Sequence, residues 1–297
     1  MSAEPIIDAH HHIWRQADLP WLSGPSQPRI FGAYDPIRRD YPVEEYLADI
    51  AGTGITRSVY VQANWAPGRS VDEAAWVQAV ADRHGFPHAI VAHADLTSRE
   101  APATLEALAA FPGLRGIRQQ LHWHENPQYR FAPHPDQMAD PVLRANLARL
   151  PDRDWLFELQ VFPGQFAAAE ALVAALPEVR FVLVHAGMLE DLTPEGQAAW
   201  RAGLARLGRL PNLWCKLSAF GTFVRRLDAP LIATITATAL EAFGPDRCLW
   251  GSNFPIEKLW TGFAPLLAAH QAALSGLSPQ ERRAVLHDTA ASVYRLA

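Results

Sequence analysis

Eight short apolar segments recur along the chain with helical segments between them, and this alternation constrains the fold more than any other feature. Each segment is rich in Val, Ile, Leu or Phe and is mostly apolar on both sides, as buried parallel strands are. The segments are 5–10, 57–63, 88–96, 114–121, 155–162, 180–187, 212–220 and 247–255. Strands that alternate with helices pair in a parallel sheet, so the pattern predicts an α/β fold, a (β/α)8 TIM barrel.

The segments between the strands carry start and stop signals of helices. Asp140 and Thr193 each precede a proline at the first helical position, which predicts two capped helices. A third begins at Asp228 and ends at Gly244. Ser70, with Glu73 three residues later, predicts a capping box on a helix that stops at Gly85. Residues 278–297 predict a further amphipathic helix at the C-terminus.

The whole chain, 1–297, is predicted to be a single barrel domain. At 297 residues and 49% hydrophobic content it can bury a large core, and no linker, low-complexity tract or internal repeat marks a second domain. Residues 15–42 contain five prolines and no regular pattern. They follow the first strand, so they are expected to form a functional loop over the carboxyl ends of the strands.

Composition excludes several classes of partner. The net charge is -5 and there is no basic stripe, so a nucleic-acid partner is not expected. No apolar run reaches the length of a membrane helix. Cys215 and Cys248 lie within apolar runs, which indicates buried thiols in a reducing compartment. With no signal-peptide pattern, the chain is expected to be cytoplasmic and to act on a small molecule.

Polar residues that are unusual in buried strands fall at the carboxyl ends of the predicted strands. In a (β/α)8 barrel these ends meet at one face, where active sites are built. Alternation along the first strand places two of its three histidines on one side and leaves His11 for a structural role. The polar set is His10, His12, Gln62, Asn64, His93, Asp95, Arg118, Gln120, His122, Glu158, Gln160, His185, Lys216, Ser218, Ser252 and Asn253.

Two buried cations in this set need partners, because an unpaired charge inside a strand is costly. Lys216 is expected either to act on the substrate or to pair with Glu158. Arg118 either anchors a substrate anion or stabilises the barrel by pairing with Asp95 or Glu158. Gln62, Gln160 and Trp123 complete the predicted substrate-binding set. Aromatic residues near the loops, Trp123 among them, predict an apolar portion of the substrate.

The motifs "DAHHHIW", "VYVQAN", "LRGIRQQLHWH", "LVHAG", "CKLSAF" and "WGSNFP" occur in this order along the chain. As a set they resemble the lactonase-rich branch of the amidohydrolase 2 family, within the amidohydrolase superfamily. The resemblance extends from the first strand to the C-terminal "AASVYRL" helix. It implies a (β/α)8 barrel and a hydrolase that opens cyclic esters.

The resemblance also implies roles for individual residues. His10, His12 and His185 would bind one divalent metal, zinc or manganese, or would polarise the substrate carbonyl directly in a metal-free site. Arg118 would face a substrate carboxylate or a lactone oxygen. The family usually has an aspartate at the end of the eighth strand, where this chain has Asn253. Because an amide is a weak ligand, the metal is expected to be weakly bound or absent.

Without that aspartate, another group must accept the proton of the attacking water. His185, Glu158 and Asp95 are the candidates: imidazole titrates near neutrality, and apolar neighbours would make Glu158 a better base. Asn253 would orient water or donate a hydrogen bond to the developing oxyanion. The predicted function is hydrolysis of a lactone of a small carboxylated sugar acid or aromatic-degradation compound. The alternatives are a metal-dependent decarboxylase of an aromatic acid and a catalytically impaired binding protein.

Overall fold

Eight parallel strands form one sheet in which every strand pairs with the next strand in the sequence. The structure is a computed structural model and describes residues 4–296. The strands are β1 (Ile6–His11), β2 (Ile55–Val61), β3 (Ala89–Ala92), β4 (Leu114–Ile117), β5 (Leu156–Leu159), β6 (Phe181–Leu183), β7 (Leu213–Leu217) and β8 (Cys248–Trp250). All eight predicted strands are present, and the predicted (β/α)8 barrel is confirmed.

The barrel closes where the chain leaves β8 and passes beside β1. The Asn253 N–H donates a hydrogen bond to the His10 carbonyl at 2.7 Å, and the His12 N–H donates to the Phe254 carbonyl at 2.7 Å. These bonds continue the parallel pairing beyond the end of β8. Residues at the carboxyl ends of β1 and β8 are thereby held side by side.

Helices surround the sheet and connect its strands. They are α1 (Pro20–Ser23), α2 (Val43–Asp49), α3 (Ser70–His84), α4 (Ala101–Leu108), α5 (Pro141–Leu147), α6 (Phe166–Ala175), α7 (Pro194–Leu207), α8 (Ala229–Phe243), α9 (Phe263–Ala273), α10 (Pro279–Arg283) and α11 (Thr289–Val293). The side chains of Asp140, Thr193 and Asp228 cap α5, α7 and α8 as predicted. A π-helical segment, Ala284–Asp288, joins α10 to α11, so the predicted C-terminal helix is interrupted.

The predicted capping box of α3 is wrong, although the helix spans the expected residues. The Ser70 hydroxyl forms a hydrogen bond with His93 Nδ1 at 2.8 Å instead of capping the helix. Glu73 is buried, and its Oε1 accepts hydrogen bonds from the Tyr60 hydroxyl and the Ala63 N–H. The side chains of Ser70 and Glu73 therefore form hydrogen bonds with residues in or near neighbouring strands and do not cap the helix. Gly85 does end α3, in the left-handed conformation with φ of 72°.

Two separate apolar cores stabilise the barrel. The larger one lies between the strands and the surrounding helices, where each strand directs alternate side chains outward. The smaller one fills the barrel interior with Ile7, Val59, Val91 and Val182, and it includes Tyr294 from the C-terminal segment. The C-terminal helix thus packs into the barrel.

The long loop after β1 is anchored at its base. Trp14 and Tyr41 exchange two backbone hydrogen bonds, of 2.9 and 3.0 Å, so the chain leaves and returns at one point. The Trp21 indole N–H reaches from the loop to the Ala63 carbonyl, 2.9 Å away at the end of β2. These bonds hold the loop above the carboxyl ends of the strands. Between residues 4 and 296, no helix is both long and apolar enough to cross a membrane.

Candidate active site

A cavity of about 270 Å³ opens at the carboxyl ends of the strands. Its floor is polar and is built from residues at or just beyond the strand ends. These residues are His12, Gln62, Asn64, Arg118, Gln120, His122, Gln160, His185 and Asn253. Its walls come from the longer loops and contribute the aromatic residues Trp14, Trp21, Phe31, Tyr129, Phe131, Phe220 and Phe223. The cavity therefore has a polar floor beneath an aromatic mouth.

Strained backbone is concentrated around this cavity. Among the residues that the structure describes, nine other than glycine have positive φ, and five of these line the cavity. The five are Asn64, His185, Met188, Ala219 and Asn253. They follow β2, β6, β7 and β8, where the chain turns away from the barrel. Left-handed backbone at such residues is costly and is typical of functional sites.

His12 and His185 are neutral imidazoles with anchored rings. His12 Nδ1 lies 2.6 Å from the Val61 carbonyl, so Nδ1 carries the proton and Nε2 keeps its lone pair. His185 Nδ1 forms a hydrogen bond of 2.8 Å with the Ser218 hydroxyl. Burial and then the charge of Arg118 lower the pKa of His12 to about 3. The same two causes lower the pKa of His185 well below its ordinary value.

His10 lies below the cavity floor, and its ring is next to the rings of His12 and His185. Its ring centroid is 5.1 Å from that of His12 and 4.8 Å from that of His185. Its Nε2 is buried without a hydrogen-bond partner. Three neutral imidazoles are ligands that zinc accepts. Within residues 4–296, however, no three His, Cys, Asp or Glu side chains have the arrangement of a metal-binding group. The three histidines thus fit a metal by ligand type and would need to adjust to hold it.

Arg118 is the one buried arginine of the cavity floor, and in the described chain it forms no ion pair within 4 Å. Its Nη2 donates to the Gln62 carbonyl at 2.6 Å, and its Nη1 lies 3.5 Å from Gln160 Oε1. Its Nε is buried without a partner. The predicted pairing with Asp95 or Glu158 is absent, because neither carboxylate reaches the guanidinium. A desolvated guanidinium with unused donors suits a carboxylate ligand.

Lys216 and Glu158 form an ion pair below the cavity. Lys216 Nζ lies 2.6 Å from Glu158 Oε1, and neither side chain is exposed to solvent. The Tyr294 hydroxyl donates to the same carboxylate oxygen at 2.6 Å, and Lys216 Nζ lies 3.4 Å from His10 Nδ1. Neither member of the pair lines the cavity. The pairing that the sequence suggested for Lys216 is present, and Glu158 lies out of contact with the cavity.

Asn253 occupies the position at which the resemblance implies an aspartate. Its side chain lines the cavity and lies close enough to the side chains of His12 and Glu257 to influence the pKa of both. Burial raises the pKa of Glu257 to about 8, so this carboxyl is largely protonated at neutral pH. An amide can bridge a neutral imidazole and a protonated carboxyl because it both donates and accepts.

Other predicted residues are divided between the cavity and its surroundings. Gln62 and Gln160 line the cavity. Trp123 does not, and Arg130 covers its ring at 4.9 Å. The neighbouring His122 lines the cavity instead, because successive side chains after β4 point to opposite sides. Asp95 is exposed and bonds with Thr97 and Gln119 outside the cavity.

Several cavity residues were missed because they come from irregular loops. Arg29 and Phe31 lie in the loop after β1, and Tyr129 and Phe131 lie in the loop after β4. The prolines of the loop after β1 predicted a functional loop, but they did not indicate which of its side chains point into the cavity. Periodicity applies only to regular elements.

The parallel barrel, with polar residues gathered at its strand ends, is the scaffold of a barrel enzyme. Residues 7–296 match the model of the amidohydrolase family, and the chain belongs to this family. It is a hydrolase of the amidohydrolase type.

Two relatives and one solved structure match the chain over almost their full length. A protein of Sinorhizobium fredii, y4mH, is 33% identical and is covered completely, as is this chain. An L-fucono-1,5-lactonase of Burkholderia ambifaria is 29% identical, over 98% of this chain and 95% of that protein. The crystal structure of a Burkholderia multivorans amidohydrolase with bound zinc has a TM-score of 0.83 and 29% identity, covering 99% of this chain and all of that one.

Proposed function

We propose that the protein hydrolyses a lactone of a small carboxylated compound. One observation carries this proposal: Arg118 lines the cavity floor with no carboxylate within 4 Å among the described residues, and its charge lowers the pKa of His185. A carboxylate held by Arg118 would place the adjoining lactone ring over the histidines. The similarity to an L-fucono-1,5-lactonase supports ring opening as the reaction.

Binding begins with the substrate carboxylate at Arg118. Salt bridges and hydrogen bonds to a desolvated guanidinium are strong because water does not compete for them. Gln62 and Gln160 hold the arginine on two sides, so its donors are oriented before the substrate arrives. Such preorganisation lowers the entropic cost of fixing the reacting group.

Water activation is assigned to His185. Its imidazole is neutral and lines the cavity, and its bond with the Ser218 hydroxyl fixes the ring. It accepts the proton of the water that attacks the lactone carbonyl, and it returns the proton to the ring oxygen as the C–O bond breaks. Glu158 is a weaker candidate, since Lys216 and Tyr294 already engage its carboxylate below the cavity.

The oxyanion that forms on the carbonyl requires a donor, and we assign this role to the Asn253 amide. The amide lines the cavity beside His12, and side-chain amides stabilise such oxyanions in other hydrolases. If a divalent metal binds, His10, His12 and His185 would hold it, and it would polarise the same carbonyl and acidify the attacking water. His185 would then serve as a ligand in place of its role as the base.

A panel of lactones tests the proposal by the acid that ring opening releases. Carboxylated lactones should be hydrolysed faster than neutral lactones of the same ring size, and aromatic acids should release no carbon dioxide. Release of carbon dioxide would instead establish a decarboxylase. Binding of lactones without turnover would establish a binding protein.

A further inference from the structure

Gln120 lines the floor of the cavity, and the proposed reaction gives it no role. It follows β4, two residues after Arg118. A parallel bridge between Gln120 and Gln160 continues the pairing of β4 with β5 beyond the ends of both strands. Residues two apart on an extended strand point to the same side. The side chains of Arg118 and Gln120 therefore face the cavity together, and both line it.

A backbone group determines the direction of a neighbouring amide, that of Gln62. The Asn64 N–H donates a hydrogen bond of 2.7 Å to Gln62 Oε1, and a backbone N–H can only donate. This N–H belongs to the turn after β2, where Asn64 has φ of 61°. The oxygen of the Gln62 side chain must therefore face Asn64, which leaves its nitrogen for other partners.

The direction of the Gln62 amide then fixes the direction of the Gln120 amide. Gln62 Nε2 donates to Gln120 Oε1 at 3.2 Å, so the oxygen of Gln120 is engaged within the protein. Its nitrogen, Nε2, is the end that remains for the cavity, and within residues 4–296 no acceptor engages it. An amide nitrogen of this kind carries two N–H donors. Gln120 thus presents donors, and no acceptor, to a bound molecule.

The amide of Gln160, on the neighbouring strand, has both ends engaged. Its Oε1 lies 3.5 Å from Arg118 Nη1, and its Nε2 lies 3.3 Å from Met188 Sδ. The cavity lining contains no Asp or Glu in the part of the chain that the structure describes. The donors of Gln120 therefore differ from those of Gln160 in having no partner, and no carboxylate of the lining can supply one.

Gln62 holds Arg118 and Gln120 beside each other. Arg118 Nη2 donates to the Gln62 carbonyl at 2.6 Å, and Gln120 accepts from the side chain of the same residue. Two sets of donors, one charged and one neutral, thus lie next to each other in the cavity floor. A carboxylate has two acceptor oxygens and can bind both sets at once.

We propose that Gln120 is a further substrate-binding residue: its Nε2 donates to one oxygen of the substrate carboxylate while Arg118 binds the other. Gln62 is the positioning residue that orients this donor. The inference rests on the proposed function for the carboxylated lactone and on the hydrogen bonds from Asn64 to Gln120 for the direction of the donor. Without it, one oxygen of a desolvated carboxylate would have no partner, which is costly.

Benzoate, a carboxylate with no ring that water could open, tests the donor by binding alone. Gln120→Met keeps the length of the side chain and removes both N–H groups, so the dissociation constant for benzoate should rise roughly tenfold. Gln120→Glu should raise it further, because it presents a carboxylate oxygen in place of the donors. Titration calorimetry measures the three affinities. A purely structural role predicts the reverse order, because glutamate still accepts the bond from Gln62 and methionine does not.

Gln119→Met is the matched control. The Gln119 amide forms hydrogen bonds with the Leu96 N–H and with Asp95, and its side chain does not line the cavity. This substitution should leave the affinity for benzoate unchanged. Equal effects of Gln119→Met and Gln120→Met, or a parent protein that binds no benzoate, would overturn the inference.

A double-mutant cycle tests the positioning role of Gln62. Gln62→Met releases the amide of Gln120, so it should weaken benzoate binding several-fold in the parent. In the Gln120→Met background the same substitution should have almost no effect, because the donor that it orients is already gone. Equal effects in the two backgrounds would mean that Gln62 acts without Gln120.

Kinetics then separate this inference from the proposed reaction. With a carboxylated lactone, Gln120→Met should raise KM roughly tenfold and leave kcat nearly unchanged, because the carboxylate is bound equally in the ground state and in the transition state. With a neutral lactone it should change neither. If no lactone reacts while benzoate binding depends on Gln120, the reaction is wrong and the binding residue stands. If lactones react and Gln120→Met binds benzoate as the parent does, the binding residue is wrong and the reaction stands.

Discussion

Lys216 Nζ lies 2.6 Å from Glu158 Oε1 in the interior of the barrel, and no solvent reaches either group. The pair is directly beneath the three histidines, since Lys216 also approaches His10. Its position divides the barrel into a polar upper part, which contains the floor of the cavity, and an apolar lower part filled by aliphatic side chains and Tyr294.

Removing one member of this pair should destabilise the fold. Glu158→Gln leaves the Lys216 charge buried without a counterion, which typically costs about 3–5 kcal/mol. The double variant Glu158→Gln with Lys216→Met should recover part of this loss. Urea unfolding of the three proteins gives the comparison. A stable Glu158→Gln variant with turnover reduced by about 10²–10⁴ would instead identify Glu158 as the base.

Arg118→Lys should weaken the binding of carboxylated lactones. A lysine keeps the charge but loses the bidentate geometry of the guanidinium and its bond to the Gln62 carbonyl. KM should rise roughly ten- to a hundredfold for carboxylated substrates and little for neutral ones. Steady-state kinetics with a matched pair of lactones measures this. Equal increases for both substrates would assign Arg118 to the stability of the barrel.

Asn253→Asp should strengthen the binding of zinc, because it adds an anionic ligand beside His12. The dissociation constant, measured by competition with a chelator, should fall at least about tenfold. Gln27→Glu is the control, since it adds the same charge at the mouth of the cavity. Equal affinities in the parent and in Asn253→Asp would mean that residue 253 does not face the three histidines.

Glu73 should make the stability of the fold depend on pH. Burial raises the pKa of this carboxyl from 4.5 to about 7, against the effect of its hydrogen bonds to Ala63 and Tyr60. The folded protein therefore holds the proton more tightly than the unfolded chain, and stability is lost as the pH rises from about 4.5 to 7. It changes no further above that window.

Glu73→Gln should remove this contribution, because an amide accepts the same hydrogen bonds without ionising. The unfolding free energy of the variant relative to the parent should rise by up to about 3 kcal/mol between pH 5 and pH 8. Urea unfolding at four pH values measures the difference. Parallel pH profiles would show that Glu73 is ionised in the folded state at no cost.

The strands were predictable because a run of apolar residues indicates burial on both faces of a strand. The helix caps at Asp140, Thr193 and Asp228 were predictable because each depends only on hydrogen bonds to residues nearby in the sequence. Ser70 and Glu73 have the local pattern of a cap, but His93, Tyr60 and Ala63 compete for them from other elements. A single sequence contains no signal for such long-range competition.

The same distinction applies to the site. Strand-end residues such as His12, Arg118 and His185 follow from alternation along a strand and from the architecture of the barrel. Trp123 lies beyond the end of β4, where successive side chains still alternate between two sides of the chain. The turn after the strand decides which of the two sides faces the cavity, and here it is the side of His122. Arg29 lies in an irregular loop, where no periodicity relates sequence to direction.

The bonds that close the barrel have a consequence for the synthesis of the chain. β1 is the first strand made, but its partners on one side, Asn253 and Phe254, follow about 240 residues later. Until the ribosome has released them, β1 has one row of unpaired backbone groups, and such edges associate with other chains. Nascent chains stopped before residue 247 should therefore require chaperones to stay dispersed, whereas the finished chain should not. Sedimentation of stalled ribosome complexes, with and without chaperone, would measure this dependence.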